Sequence, residues 1–107
     1  MAKTIKIPHK ESHYDLKLIR EYISDGKLHI PERVKKSAKD AFGWQTEDIK
    51  KAILSLKTKH FHKTEENWDD PSIYVDYYKA RNLMGENIYI HFHIEDDKLI
   101  VASFKEI

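Results

Sequence analysis

Hydrophobic spacing changes its period once along this chain, near residue 57, and that change restricts the fold more than any single motif does. Ahead of it, apolar residues recur at helical intervals. In "SHYDLKLIREYISDG", Leu16, Ile19 and Ile23 share a face, Ser12 and Asp15 make a capping-box-like start, and Gly26 is placed to stop the helix. In "PERVKKSAKDAFG", Val34, Ala38 and Phe42 form the stripe, with Pro31 in the first turn and Gly43 at the end. In "TEDIKKAILSL", Ile49, Ala52, Ile53 and Leu56 face inward. Thr46 is the expected N-cap there, and Glu47 and Asp48 complement the positive end of the helix dipole. Between the first two helices, Lys27–Ile30 has room for a short strand.

Beyond residue 57 the period is two. "KTKHFHKTEE", "IYVDYYKARNL", "ENIYIHFHIE" and "KLIVASFKEI" read as strands, separated by "ENWDDPS" with its Pro71, by Gly85 and by "DD". Helices followed by a meander predict an α+β fold, with three N-terminal helices packed on one face of a C-terminal antiparallel sheet. The boundaries expected are a polar arm over 1–11, a helical part over 12–57 and the sheet over 58–107. Pro8 disfavours helix at Ile7 in the arm. At 107 residues and 40% hydrophobic composition, one core and one domain, 1–107, are expected.

Composition removes several function classes. The chain has no cysteine, which excludes disulfides, thiol catalysis and Cys-based zinc sites. No apolar run reaches the length of a membrane span, and the charged N-terminus lacks the apolar region of a secretory signal. A cytoplasmic protein with no membrane partner is therefore expected. There is also no Gly-x-Gly-x-x-Gly, Walker loop, His-Glu-x-x-His or serine elbow.

Charge is divided unevenly. Residues 1–63 hold fifteen Lys and Arg against eight Asp and Glu, whereas residues 64–107 hold four against ten. If the halves stay apart in the fold, the domain carries a strong dipole, suited to an anionic partner on one side and a basic one on the other. The plainer account is that these lysines solvate helix faces. Lys35, Lys36, Lys39, Lys50, Lys51, Lys57, Lys59 and Lys63, beside an aromatic sheet, also meet the needs of phosphate contact and base stacking.

In the third long strand Ile88, Ile90, Phe92 and Ile94 form one face, which leaves Tyr89, His91 and His93 on the other. Helices cover only one side, so these polar rings belong to the side left for a ligand or for water. Two His-x-His pairs, His60/His62 and His91/His93, would each share a strand face and together offer four imidazoles to a metal. Exposed strand histidines are the commoner explanation. The acidic groups Glu65–Glu66, Asp69–Asp70 and Glu95–Asp97 fall at predicted turns, where carboxylates are usual.

Five segments, taken in order, resemble the MqsR-type toxins, the motility quorum-sensing regulator family of bacterial toxin–antitoxin systems. They are "HYDLKLIREYISDGK", the strand end Phe61–Lys63, "IYVDYYKAR", "GENIYI" and the terminal "LIVASFKE". The resemblance covers nearly the whole chain and implies a RelE-like toxin fold. It also implies a metal-independent endoribonuclease, an mRNA interferase without cofactor, whose partners are mRNA and a cognate antitoxin. The family's lysine–tyrosine–lysine set carries over to Lys63, Tyr89 and Lys105. A glutamine of the family's site is replaced here by Val75. His91 lies outside the family pattern and joins the catalytic candidates.

Metal-free RNA cleavage uses the ribose 2′-hydroxyl as nucleophile. It requires a proton acceptor, a donor for the leaving 5′-oxygen, and cations for the charge gathering on phosphorus. Lys63 and Lys105 suit the last task; Tyr89, whose ionised form two nearby ammonium groups would favour, and His91 suit the proton transfers. Arg81, Tyr78, His93, His62 and Lys59 are the candidate RNA contacts. One geometric question stays open: on a regular strand Lys63 would share a face with Phe61, so either Phe61 faces the RNA or a bulge turns Lys63 around. The alternative function is a non-catalytic RNA- or protein-binding regulatory module, with or without a histidine metal site.

Overall fold

The computed structural model describes residues 11–107; most of the expected polar arm lies outside them. The elements run α1 (Leu16–Ser24), β1 (Leu28–His29), α2 (Glu32–Phe42), α3 (Thr46–Leu54), a 3₁₀ turn (Thr58–His60), β2 (Phe61–Glu66), β3 (Tyr74–Leu83), β4 (Glu86–Glu95) and β5 (Lys98–Glu106). The α+β expectation holds, with the helices N-terminal and the sheet C-terminal.

The caps differ from expectation by one to three residues. Asp15, not Ser12, caps α1, accepting from the Lys17 N–H at 3.0 Å. Gln45, not Thr46, caps α3, with Asp48 reaching back to the Gln45 N–H at 2.9 Å. The sheet is not wholly antiparallel. Its order is β1-β5-β4-β3-β2, and β1 pairs parallel with β5 through Leu28 and His29, while the four long strands form the antiparallel meander. Expected as strand from residue 57, the chain instead makes a 3₁₀ turn, because the His60 N–H and Nδ1 both bind the Lys57 backbone, at 2.9 and 3.0 Å. The two tight hairpins carry left-handed residues in pairs, Met84–Gly85 and Asp96–Asp97, as the twist of two-residue turns requires.

One core lies between helices and sheet. Ile19, Ala38, Ile49, Ala52 and Leu56 from the helical half meet Tyr78, Ala80, Ile88, Ile90, Phe92, Leu99, Val101 and Phe104 from the sheet, each at most 1% exposed. The entry to α1 is fastened to the sheet by Asp76. Its carboxyl group accepts from the His13 and Tyr14 N–H groups, each at 2.9 Å, and from the Thr64 hydroxyl at 2.5 Å.

Two register shifts decide which residues reach the face away from the helices. In β2, Phe61 pairs with Tyr78 but Lys63 with Tyr77, so His62 is an extra residue. In β5, Val101 pairs with Phe92 and Ser103 with His91, so Ala102 is extra. Each bulge reverses the alternation that follows it. Phe61 and Val101 face the helices, and Lys63 and Lys105 face away. The question left open by the sequence is answered by a bulge.

Candidate functional site

The register builds the site on the face away from the helices. Lys63 lies opposite Tyr77, Tyr77 opposite His91, Lys79 opposite Tyr89, and Tyr89 opposite Lys105. Side chains directly across strands are close enough to touch. The Tyr77 and Tyr89 rings stack with centroids 6.2 Å apart, and His91 stacks on Tyr77 at 4.5 Å and lies 5.9 Å from Tyr89. Lys63 Nζ is 4.9 Å from the Tyr77 centroid, and Lys105 Nζ is 5.4 Å from that of Tyr89. Two ammonium groups thus bracket a three-ring aromatic cluster. Lys63, Tyr89, Lys105 and His91, singled out from the sequence, are brought together.

The electrostatics divide the rings into two kinds. Burial pushes the Tyr77 phenol up to about 12, helped by the Glu65 carboxylate to which it is hydrogen-bonded. Tyr77 therefore stays a neutral donor. Burial, with Lys105 and Arg33 adding to it, pushes the His91 imidazole down to about 4. His91 is neutral at physiological pH and available as a proton acceptor. Its Nδ1 is buried without a hydrogen-bond partner among the described residues.

Several expected contacts lie elsewhere. Tyr78 does not face away from the helices: it is 1% exposed in the core, stacked on Phe92 at 5.4 Å. Adjacent strand residues point to opposite faces, and of the two tyrosines it is Tyr77 that joins the site. His93 has the right parity but is 6% exposed, with Nε2 3.1 Å from Glu95 Oε1, and is closed to a ligand. His62, the bulge residue, is exposed, and Lys79 and Lys63 add to partial desolvation in holding its pKa down. His60 is spent in the 3₁₀ turn, so the four imidazoles do not converge, and no three potential metal ligands gather among the described residues. Arg81 and Lys59 line a separate pocket with Arg20, Lys57 and His60.

Three neighbours of the site escaped sequence reasoning. Glu65 is not in a turn; it sits in β2 with Oε2 2.9 Å from Lys63 Nζ. Tyr77 had a signal, since Lys79 and Arg81 share its parity and mark the solvent face. Arg33 had none. Its guanidinium comes from α2 and donates to the Ala102 carbonyl at 2.8 Å, clamping the bulge that orients Lys105.

Two comparisons bear on this site. A family model described as "Motility quorum-sensing regulator, toxin of MqsA" matches residues 11–106. No curated protein matches the chain.

Proposed function

Since the chain belongs to the motility quorum-sensing regulator family of toxins, we propose that it is the endoribonuclease of a toxin–antitoxin pair, cutting mRNA without a metal and restrained by a cognate antitoxin. The observation that carries this reading is the pair of lysines bracketing Tyr77, Tyr89 and His91 on the face away from the helices.

RNA lies across that face with the scissile phosphate between Lys63 and Lys105. The 2′-hydroxyl gives its proton to the neutral His91 imidazole as its oxygen attacks phosphorus. The 5′-oxygen leaves with the Tyr89 phenolic proton, producing a 2′,3′-cyclic phosphate and a 5′-hydroxyl end. The two ammonium groups stabilise the negative charge of the phosphorane, which is greater than that of the bound substrate. Burial of His91 makes it a weak base in the free protein; an incoming phosphate opposes the positive charges of Lys105 and Arg33 and raises its proton affinity. Tyr77 keeps its proton and, tied to Glu65, holds the His91 ring in place. Glu65 lies opposite Val75, so a carboxylate stands beside the position where the family has glutamine.

The test is cleavage of single-stranded RNA by purified protein in EDTA. Wild type should cleave, and Lys105→Ala and Tyr89→Phe should each lower the rate by about 10²- to 10⁴-fold while melting normally. Cleavage lost on chelation and restored by zinc, or untouched by both substitutions, would overturn the reading.

A further inference from the structure

At the end of the sheet where β2 begins and β3 ends, a cavity of about 520 Å³ is lined by Arg20, Lys57, Lys59, His60 and Arg81, and by no Asp or Glu among the described residues. None of these four Arg and Lys side chains pairs with a carboxylate among the described residues. Arg20 is held at the wall by donating to the Leu56 carbonyl at 3.0 Å. Four cations around one concavity, without a carboxylate partner among the described residues, create a positive potential that favours an anion.

The pocket lies a short way along the strands from the site. Arg81 follows Lys79 by two residues on β3, about 7 Å along the strand, and Lys79 is directly across from Tyr89. His62 and Lys79 lie between the pocket and the Lys63–Tyr77 pair, close enough for both Lys79 and Lys63 to depress the His62 imidazole. At the other end of the sheet the two turns carry Asp69, Asp70 and Asp96, while Asp97 is paired with Lys27 at 2.7 Å. A polyanion leaving the site is attracted one way and repelled the other.

We propose that this pocket holds a backbone phosphate in the flank of the RNA substrate, so that the strand runs from the scissile site toward the Arg81 end of the sheet. The inference rests on the nuclease reading above and adds to it a second subsite and a direction. Its contribution is binding of longer RNA, not chemistry, and it is indifferent to base identity.

The experiment uses the Arg81→Gln/Lys59→Gln double variant and an Arg81→Lys control. Cleavage is compared on a dinucleotide and on a 12-nucleotide single strand, and binding of the longer strand is measured in a Lys105→Ala background across a salt series. The double variant should raise KM for the longer strand about tenfold with kcat little changed, and so reduce its advantage over the dinucleotide. The slope of log affinity against log salt should flatten by roughly 1.4, at about 0.7 per lost contact. Arg81→Lys should recover most of both. Unchanged KM and slope overturn the pocket's role while leaving the nuclease reading intact. Loss of antitoxin binding with RNA parameters untouched also overturns it, assigning the pocket to a protein partner. RNA that binds through Arg81 but is never cut sinks the nuclease reading and leaves the subsite standing.

Discussion

At the scale of single residues, His91 shows how burial sets chemistry. Its folded pKa is about 4, below the unperturbed histidine value of about 6.5. Between those values the unfolded chain takes up a proton that the folded one refuses, so stability is full above about pH 6.5 and falls as pH drops toward 4. At about 1.36 kcal/mol per unit the full shift corresponds to about 3 kcal/mol, and solvent screening of the half-buried ring reduces the loss below that. His91→Gln should therefore flatten the dependence of urea midpoint on pH across that window, and should also lower RNA cleavage at pH 7. An equally steep dependence in the variant would assign the acid sensitivity to other groups. Tyr77 is set at this scale too: tied to Glu65 and pushed up to about 12, it holds a proton unsuited to transfer.

Elements act by aiming these residues. Two bulges, at His62 and Ala102, turn Lys63 and Lys105 onto the face that regular strands would have denied them. The second is held by Arg33 from α2. Arg33→Ala should cost only about 1 kcal/mol in a urea titration, the usual worth of an exposed hydrogen bond, yet reduce cleavage more than that loss explains, because Lys105 is less well aimed. Full activity in Arg33→Ala would show that the bulge holds itself. Asp76 fastens α1 to β3 in a comparable way, but in the interior. Asp76→Ala leaves two backbone N–H groups and the Thr64 hydroxyl without their acceptor, and should destabilise by about 3 kcal/mol or more, read as a lowered urea midpoint. A loss within the scatter of surface substitutions would mean that water replaces the carboxyl group.

Across the whole molecule the uneven charge becomes directional. The basic pocket and the acidic turns occupy opposite ends of the sheet, with the site between them. This arrangement predicts that reversing charge far from the chemistry changes encounter more than turnover. Asp69→Lys, in the exposed β2–β3 loop, should speed RNA association in stopped-flow at low salt, and the gain should vanish near physiological ionic strength, where the Debye length is about 8 Å. A gain that persists at high salt would indicate direct contact with RNA instead of steering.

The sequence by itself determined the three helices and four long strands, the order of helices before sheet, both hairpin turns and the apolar face of β4, because periodicity and turn chemistry are local. The family resemblance named Lys63, Tyr89 and Lys105, and the strand pattern added His91. Tertiary structure alone decided that they meet. An extra residue in a strand is invisible until the partner strand shows what it pairs with, so the side on which Lys63 falls could not be read from β2 alone. The same holds for Tyr77 against Tyr78 and for the closure of His93, since parity and burial are properties of the assembled sheet. Arg33 makes the point most plainly: it stands 69 positions from Ala102 in the chain, and only folding brings its guanidinium to that carbonyl.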